Sequence, residues 1–328
     1  MSGGKLEAVC TIGVFDGLHI GHRYLLDQAI GDARSLGLPC VALSFDHDPE
    51  EAFLPPEKVQ HLLSNTERLE LLAKSGVDQV IVLHFDHALA ALTATEFLDQ
   101  VLGRLLAPKS IHVGADFRFG AAAQGDVACL KQWADSREVA VFGHQLLGDG
   151  GQAVSASRIR ACLADGRLDE ANQLLGRPHH LKGRVVRGRG VGNSLGFPTA
   201  NIASDDGVVL PADGVYAGLV QFGEVRQTES VSENGRAAPS DAPPLPQAEL
   251  HAAAISVGVP LSFDGVAASL EAFLLDYQGD LYDQELRLHF LKYLRPMQVF
   301  GDARALSQQI SDDVRQTRKL AAQYECEQ

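Results

Sequence analysis

Apolar positions fall into two textures along the chain. From residue 8 to about 175, short apolar runs at 9–14, 41–45, 79–85, 110–113 and 139–146 alternate with stretches of helical period. The clearest helical stripe is Leu25, Leu26, Ala29, Ile30, Ala33 and Leu36, and further helices are predicted over 66–75 and 95–106. This alternation predicts a doubly wound α/β domain around a mainly parallel sheet. Gly176 and Pro178 break the pattern, which places a domain boundary at 178/179. Shorter β-rich runs follow at 183–187, 214–221, 252–257, 269–275 and 285–291, several separated by glycine turns. They predict a small antiparallel β-barrel over 179–328. An amphipathic helix is expected over 303–323, with Leu306, Ile310, Val314 and Leu320 on its apolar side. Residues 223–249, rich in Glu, Ser, Ala and Pro, are expected to form a disordered insert without chemistry of its own.

The densest chemistry follows the first strand, in Thr11-Ile-Gly-Val-Phe-Asp-Gly-Leu-His-Ile-Gly-His22. Gly13 and Gly17 permit turns and close backbone approach. His19 and His22 fall at a helix entrance, where free N–H groups and the positive dipole end favour a polyphosphate. An imidazole there can donate to phosphate oxygens as charge develops. The bland alternative is two polar residues in a helix-entry turn. Ligands of doubly wound sheets bind at the carboxyl ends of strands, which is where this segment lies.

Two later segments point to the same place. Val113-Gly-Ala-Asp-Phe-Arg-Phe-Gly120 brings Asp116 together with Phe117 and Phe119, an apolar wall for a flat ring or ordinary core. In Val154-Ser-Ala-Ser-Arg-Ile-Arg160, Ser155 and Ser157 are helix caps or, with Arg158 and Arg160, triphosphate ligands. A second cluster opens the β-rich half. The glycine-dense Gly188-Arg-Gly-Val-Gly192 precedes Gly196-Phe-Pro-Thr-Ala-Asn201. On an extended chain Thr199 and Asn201 point to one side and could hold a Mg²⁺ that keeps phosphate and water ligands, or form a polar strand face. Glu271 alternates with Phe273 and Leu275, opposite Leu270, Ala272 and Leu274, and is either an exposed barrel residue or a proton acceptor.

Bulk properties narrow the field. The chain has 328 residues and a net charge of −14, which argues against a nucleic-acid partner. No apolar run has the length of a membrane span, and the first residues do not read as a signal peptide. Five scattered cysteines are expected to be reduced thiols of a cytoplasmic protein. Asp46-His47-Asp48 and His84-Phe-Asp-His87 have metal-ligand residue types, but both end apolar runs and read as strand-end polarity.

Residues 13–22 resemble the HxGH nucleotidyltransferases, and more narrowly the N-terminal half of bacterial bifunctional riboflavin kinase/FAD synthetase (FMN adenylyltransferase). Residues 113–120 are similar to that family's Gly-x-Asp-Phe-x-Phe-Gly, and 196–201 to its riboflavin kinase signature. The resemblance covers nearly the whole chain. It implies phosphorylation of riboflavin by ATP, then adenylylation of FMN to FAD with release of pyrophosphate. His19, His22 and Glu271 inherit catalytic roles. Gly13, Phe15, Asp16, Gly17, Ser155, Ser157, Arg158, Gly188, Gly192, Thr199 and Asn201 inherit ATP contacts, Thr199 and Asn201 with Mg²⁺. Asp116, Phe117, Phe119 and Arg295 inherit flavin-side positions. Val14, Ala156, Asn193 and Asp283 depart from the family pattern. Retention of one activity only, or a non-catalytic flavin- or nucleotide-binding regulator, are the alternatives.

Overall fold

The computed structural model describes residues 5–55, 58–145, 147–149, 152–187, 197–204, 207–222, 250–258 and 269–327. The loop 188–192, Asn193 and the segment 223–249 lie outside these described residues. Contacts divide the chain into two units. The first takes residues 1–161, 173–176 and 207–209, and the second 162–172, 177–206 and 210–328.

The first unit is built on five parallel strands in the order β3-β2-β1-β4-β5. They are β1 (Leu6–Ile12), β2 (Cys40–Phe45), β3 (Gln79–Leu83), β4 (Leu106–Gly114) and β5 (Ala140–His144). Central β1 runs beside β2 with Val9 opposite Cys40, and beside β4 with Cys10 opposite Ile111. Its two faces enter different cores. Ala8, Cys10 and Ile12 pack with Phe97, Leu130 and Trp133, while Val9 packs with Leu26, Ala29 and Leu72. Burial on both faces explains why the strand reads as an unbroken apolar run. The chain order reverses between β1 and β4, so a crevice opens at their carboxyl ends.

Helices α1 (Ile20–Leu36), α2 (Asn65–Ala73), α3 (Val127–Asp135), α4 (Ala156–Ala164) and α5 (Leu168–Leu175) follow in order. Two expectations change here. The first strand ends at Ile12 rather than 14, because Phe15 turns left-handed (φ 60°) and leaves the sheet direction. The single helix expected over 95–106 is a chain of short turns with a π segment at Phe97–Leu102, and Leu106 already begins β4. A two-residue hairpin, β6 (Gly148–Asp149) with β7 (Gln152–Ala153), has no apolar signature in the sequence.

In the second unit, β8 (His179–Val186), β9 (Ala200–Ser204), β10 (Gly214–Phe222), β11 (Leu250–Gly258), β12 (Ser269–Leu274) and β13 (Glu285–Arg295) form a closed antiparallel barrel. The order is β10-β11-β12-β9-β8-β13, with β13 pairing back to β10. Leu181, Val185, Ile202, Leu219, Ile255, Leu270 and Leu288 are buried. Gly218 is obligatory where β10 and β13 close: a Cβ there would collide with the His289 carbonyl oxygen and the Ile255 side chain. Helix α6 (Ala303–Glu327) packs on this barrel. Its deepest row is Asp313, Thr317 and Ala321, with Leu306, Ile310, Val314 and Leu320 only half-buried beside it.

A carboxylate at the centre of a buried helix face needs a partner, and Arg295 at the end of β13 supplies it. The Arg295 Nη2 donates to Asp313 Oδ2 at 2.8 Å, and Nε lies 3.1 Å from both oxygens. Removing one partner of a buried pair strands the other charge. Asp313→Ala is therefore expected to lower stability of the second unit by about 3–5 kcal/mol, read from the urea midpoint, whereas Asp312→Ala, at a half-buried position beside it, moves it little.

Candidate functional site

The turn after β1 is held by two buried charges. Asp16 accepts the Leu62 backbone N–H at 3.0 Å and the Arg160 Nη1 at 2.8 Å. Burial pushes its carboxyl up, against the opposing pull of Arg160 and the Leu62 N–H. Arg68 of α2 is 2% exposed. Its guanidinium donates to Val14 O at 2.7 Å, Ser44 Oγ at 2.8 Å, Phe45 O at 2.6 Å and Asn65 Oδ1 at 3.0 Å. Four acceptors from three elements thus fix where the β1 and β2 strand ends sit. Gly17 has φ +70°, and a Cβ there would press into Leu62. Phe15, a non-glycine residue at φ 60°, costs on the order of 1 kcal/mol or more in backbone strain.

That strained turn delivers two imidazoles to the start of α1. His19 is the N-cap, its Nδ1 accepting the His22 backbone N–H at 3.2 Å. A neutral His19 with Nδ1 so engaged carries its proton on Nε2. The two rings stack with centroids 3.7 Å apart, and Phe15 meets His22 edge-on at 5.3 Å. The His22 Nδ1 is buried with no hydrogen-bond partner among the described residues. Burial, and then His19, push the His22 pKa well below the usual imidazole range. Its resting form is therefore a neutral imidazole.

These groups open onto a cavity of about 340 Å³. Of the residues singled out in the sequence, Gly13, Phe15, Asp16, His19, His22, Asp116, Phe117 and Ser155 line it. Gly17, Phe119, Ser157 and Arg158 are absent from its wall. Phe119 is core, stacked behind Phe117 at 5.4 Å and packed on Phe97. Ser155 caps α4 by accepting the Arg158 N–H, while the Arg158 side chain donates to Gln152 O. Arg160 takes the cavity position instead and also donates to Ser157 Oγ. Positions two apart on a helix point to opposite sides, so only one of the two arginines can face the cavity. That spacing is a signal readable in advance. Tyr24, Asp48 and His144 also line the cavity and carried no such signal. Neither did Arg68, which resembles any polar residue of an amphipathic helix.

Asp46, His47 and His84 do gather beyond the ends of β2 and β3, with donor atoms within 4.8 Å of one another. Both histidines are exposed, and Asp46 pairs with each of them.

A second constellation lies on the barrel. Ala200 and Ile202 of β9 are buried, so Thr199 and Asn201 share the other side, half-buried. Asn201 is paired with Glu271 of β12, and Thr199 Oγ1 donates to Glu271 Oε2 at 3.3 Å. Thr199, Asn201 and Glu271 thus converge from two strands. Phe197 packs edge-on against Phe273 beside them, at 5.4 Å. Thr199 opens onto a cavity of about 180 Å³ lined also by Pro198, Leu274, Tyr277, Asp280 and Tyr282. Arg295, expected near a ligand, lines neither cavity, because its guanidinium is engaged with Asp313. Gly188 and Gly192 lie outside the described residues.

Comparison with known proteins finds a family for each half of the chain. Residues 4–158 match the family model for FAD synthetase, and residues 175–321 that for riboflavin kinase. A bifunctional riboflavin kinase/FMN adenylyltransferase of Escherichia coli strain K12 is 35% identical over 306 residues, spanning 93% of this chain and 90% of the relative. A protein of the same description from Pseudomonas fluorescens is 36% identical and spans 96% and 93%. A solved structure described as a macrolide-efflux protein from Streptococcus pneumoniae is 31% identical, with a TM-score of 0.80 over 96% of this chain and 95% of that one. Among the described residues no helix is long and apolar enough to cross a membrane.

The depressed His22 pKa has a measurable consequence. Below about pH 6.5 the unfolded chain takes up a proton on this side chain that the folded chain refuses. Stability contributed by His22 is therefore full above pH 6.5 and falls as pH drops through that value, by about 1.4 kcal/mol per unit. Urea midpoints at pH 7.5 and 5.5 should separate more for the native protein than for His22→Gln.

Proposed function

The chain belongs to the bifunctional riboflavin kinase/FMN adenylyltransferase family, and from that premise we propose which of its residues carry each of the two transfers, with the functional division near residue 178. In the first unit FMN and ATP meet in the cavity beside His19 and His22. The FMN phosphate oxygen attacks the α-phosphorus, a P–O bond forms, and the bond to the leaving pyrophosphate breaks. Phosphate oxygens are nucleophilic at neutral pH, so no strong base is needed. The His19 Nε2–H and the neutral His22 ring donate to the α-phosphoryl oxygens as charge grows on them. Gly13 allows ATP close to the backbone, and Phe15, Asp16 and Gly17 shape that approach. Ser155 and Arg160, with Ser157 and Arg158 beside them at the start of α4, hold the departing phosphates. Asp116 and Phe117 border the flavin, with Phe119 supporting Phe117 from behind.

In the second unit Glu271 takes the proton of the riboflavin 5′-hydroxyl as its oxygen attacks the γ-phosphorus of ATP, and the bond from that phosphorus to the departing ADP breaks. The Thr199 hydroxyl, the Asn201 amide oxygen and the Glu271 carboxylate are an all-oxygen donor set, which fits Mg²⁺ and not a soft metal. Thr199 and Asn201 would hold that ion, whose charge offsets the phosphates it touches. Thr199 donates to Glu271 and so also orients the base. The Gly188–Gly192 loop is proposed to cover ATP, and Arg295 to act on the flavin side through its hold on α6. Both reactions are proposed to run in the cytoplasm, in keeping with five cysteines that form no disulfide among the described residues.

The observation that carries this reading is the stacked His19–His22 pair on the cavity floor, joined on one chain with a Thr199–Asn201–Glu271 cluster. The test is separability. With riboflavin, ATP and Mg²⁺, the native protein should yield FMN and then FAD on flavin chromatography. His22→Ala should stop at FMN, with adenylylation down about 10²–10⁴-fold. Glu271→Gln should leave riboflavin unphosphorylated by a similar factor yet still convert added FMN to FAD. Loss of both activities from either single substitution would sink the division of labour.

A further inference from the structure

The first unit holds a run of polar groups that the two reactions leave unused, and it ends at the cavity wall. Asp32 lies on α1, Ser110 and His112 on β4, and His144 at the end of β5. His112 is 3% exposed. Its Nε2 is 3.1 Å from Asp32 Oδ2, and its Nδ1 is 2.9 Å from His144 Nε2. Ser110 Oγ donates to the same Asp32 oxygen. The two imidazoles are nearly parallel, with centroids 5.1 Å apart, and Phe142 covers His112 at 4.7 Å. His144 lines the cavity, and the ring of Tyr24 meets it edge-on at 6.0 Å.

The proton positions follow from the anchored end. Burial acts to raise the Asp32 pKa, but the hydrogen bonds from Ser110 and His112 outweigh it and hold the carboxyl below its usual range. A carboxylate only accepts, so His112 Nε2 must donate. An imidazole that spends its one proton on Nε2 leaves Nδ1 as an acceptor, and His144 Nε2 then donates into it. Burial, then His112, lower the His144 pKa, so this ring is neutral. Its one remaining polar atom is an unprotonated Nδ1.

We propose that His144 is a specificity-determining residue, a hydrogen-bond acceptor in the cavity wall oriented by Asp32 through His112, which selects ligand groups that present an N–H on a heteroaromatic ring. Asp32 and His112 are positioning residues. An acceptor nitrogen repels phosphate oxygens, so the phosphates belong with His19, Ser155 and Arg160, and His144 faces a ring. The inference rests on the adenylyltransferase reading above, whose substrates supply two such groups, the 6-amino group of adenine and the imide N–H of the flavin. His144 pairs with Gly114, and its carbonyl accepts the Ala115 N–H at 2.8 Å, next to Asp116 and Phe117.

Two measurements on the full chain test this. In ¹⁵N-labelled protein at pH 7.5, long-range proton–nitrogen correlations should show both His112 and His144 as the Nε2–H tautomer. Asp32→Asn should remove that preference at His112. Adenylylation is then compared for native substrates, for purine riboside triphosphate (no 6-amino group) and for N3-methyl-FMN. One analogue should raise KM about two- to tenfold in the native protein, with kcat changed less. His144→Phe should abolish that penalty, and His144→Asn, which returns an acceptor near the Nδ1 position, should keep it. The analogue that carries the penalty identifies the ring. An Nδ1–H tautomer at His144, or the same penalties in native protein and His144→Phe, overturns the proposal. If the native protein makes no FAD from FMN and ATP, the adenylyltransferase reading fails instead. The tautomer then still stands or falls by the spectrum, and selectivity is read from equilibrium binding of ATP, FMN and the two analogues.

Discussion

The first site depends on a buried cation with no carboxylate in direct contact among the described residues. Arg68 is nearly sealed from solvent, and its guanidinium is satisfied by the carbonyl oxygens of Val14 and Phe45, the Ser44 hydroxyl and the Asn65 amide oxygen. Burying a charge in this way costs several kcal/mol unless its donors are used. Here they are used, and the field of Asp16, Asp46, Asp48 and Glu51 opposes the desolvation that presses its pKa down. The consequence is geometric. With the ends of β1 and β2 tied to α2, the chain between Gly13 and His19 has little freedom, and the left-handed Phe15 can be sustained. Asp16 adds the second tie, from the turn to Leu62 and Arg160. Both imidazoles inherit their positions from these contacts.

A protein of net charge −14 handles polyphosphates through local means. The α1 entrance offers backbone N–H groups, two imidazole rings and one arginine, while Asp16, Asp48 and Asp116 share the same cavity. Attraction is thus confined to a few directed donors rather than spread over a basic surface. Directed donors of this kind suit the phosphate positions proposed for the site. The barrel solves a related problem differently. Its constellation lies on the side of β9 and β12 away from the packed interior, where Thr199, Asn201 and Glu271 stay accessible while Ala200, Leu270 and Ala272 fill the barrel.

Much of this was legible in the sequence because it is local. The apolar run around Val9 to Ile12, the stripe from Leu25 to Leu36 and the turn between them mark a strand, a turn and a helix. Strand period 2 likewise settles that Thr199 and Asn201 share a side, and that Glu271 lies opposite Leu270 and Ala272. Resemblance over these short motifs was enough to name the family. The parallel sheet and the antiparallel barrel also follow from element alternation and run length.

What the sequence could not determine is which polar side chains are spent inside the protein and which remain for a ligand. Arg295 and Arg160 are both arginines near family motifs. One is taken up by Asp313 of a helix 18 residues further on, and the other reaches a cavity through Asp16, 144 residues earlier. Phe117 and Phe119 differ by two positions, yet one borders the cavity and the other fills the core behind it. Period and propensity act over a few residues, so the chain alone specifies its elements and their faces. The partner of a buried charge is chosen by long-range packing, and only the tertiary structure decided that Arg68 would hold the site together and that Asp32, His112 and His144 would meet at its wall.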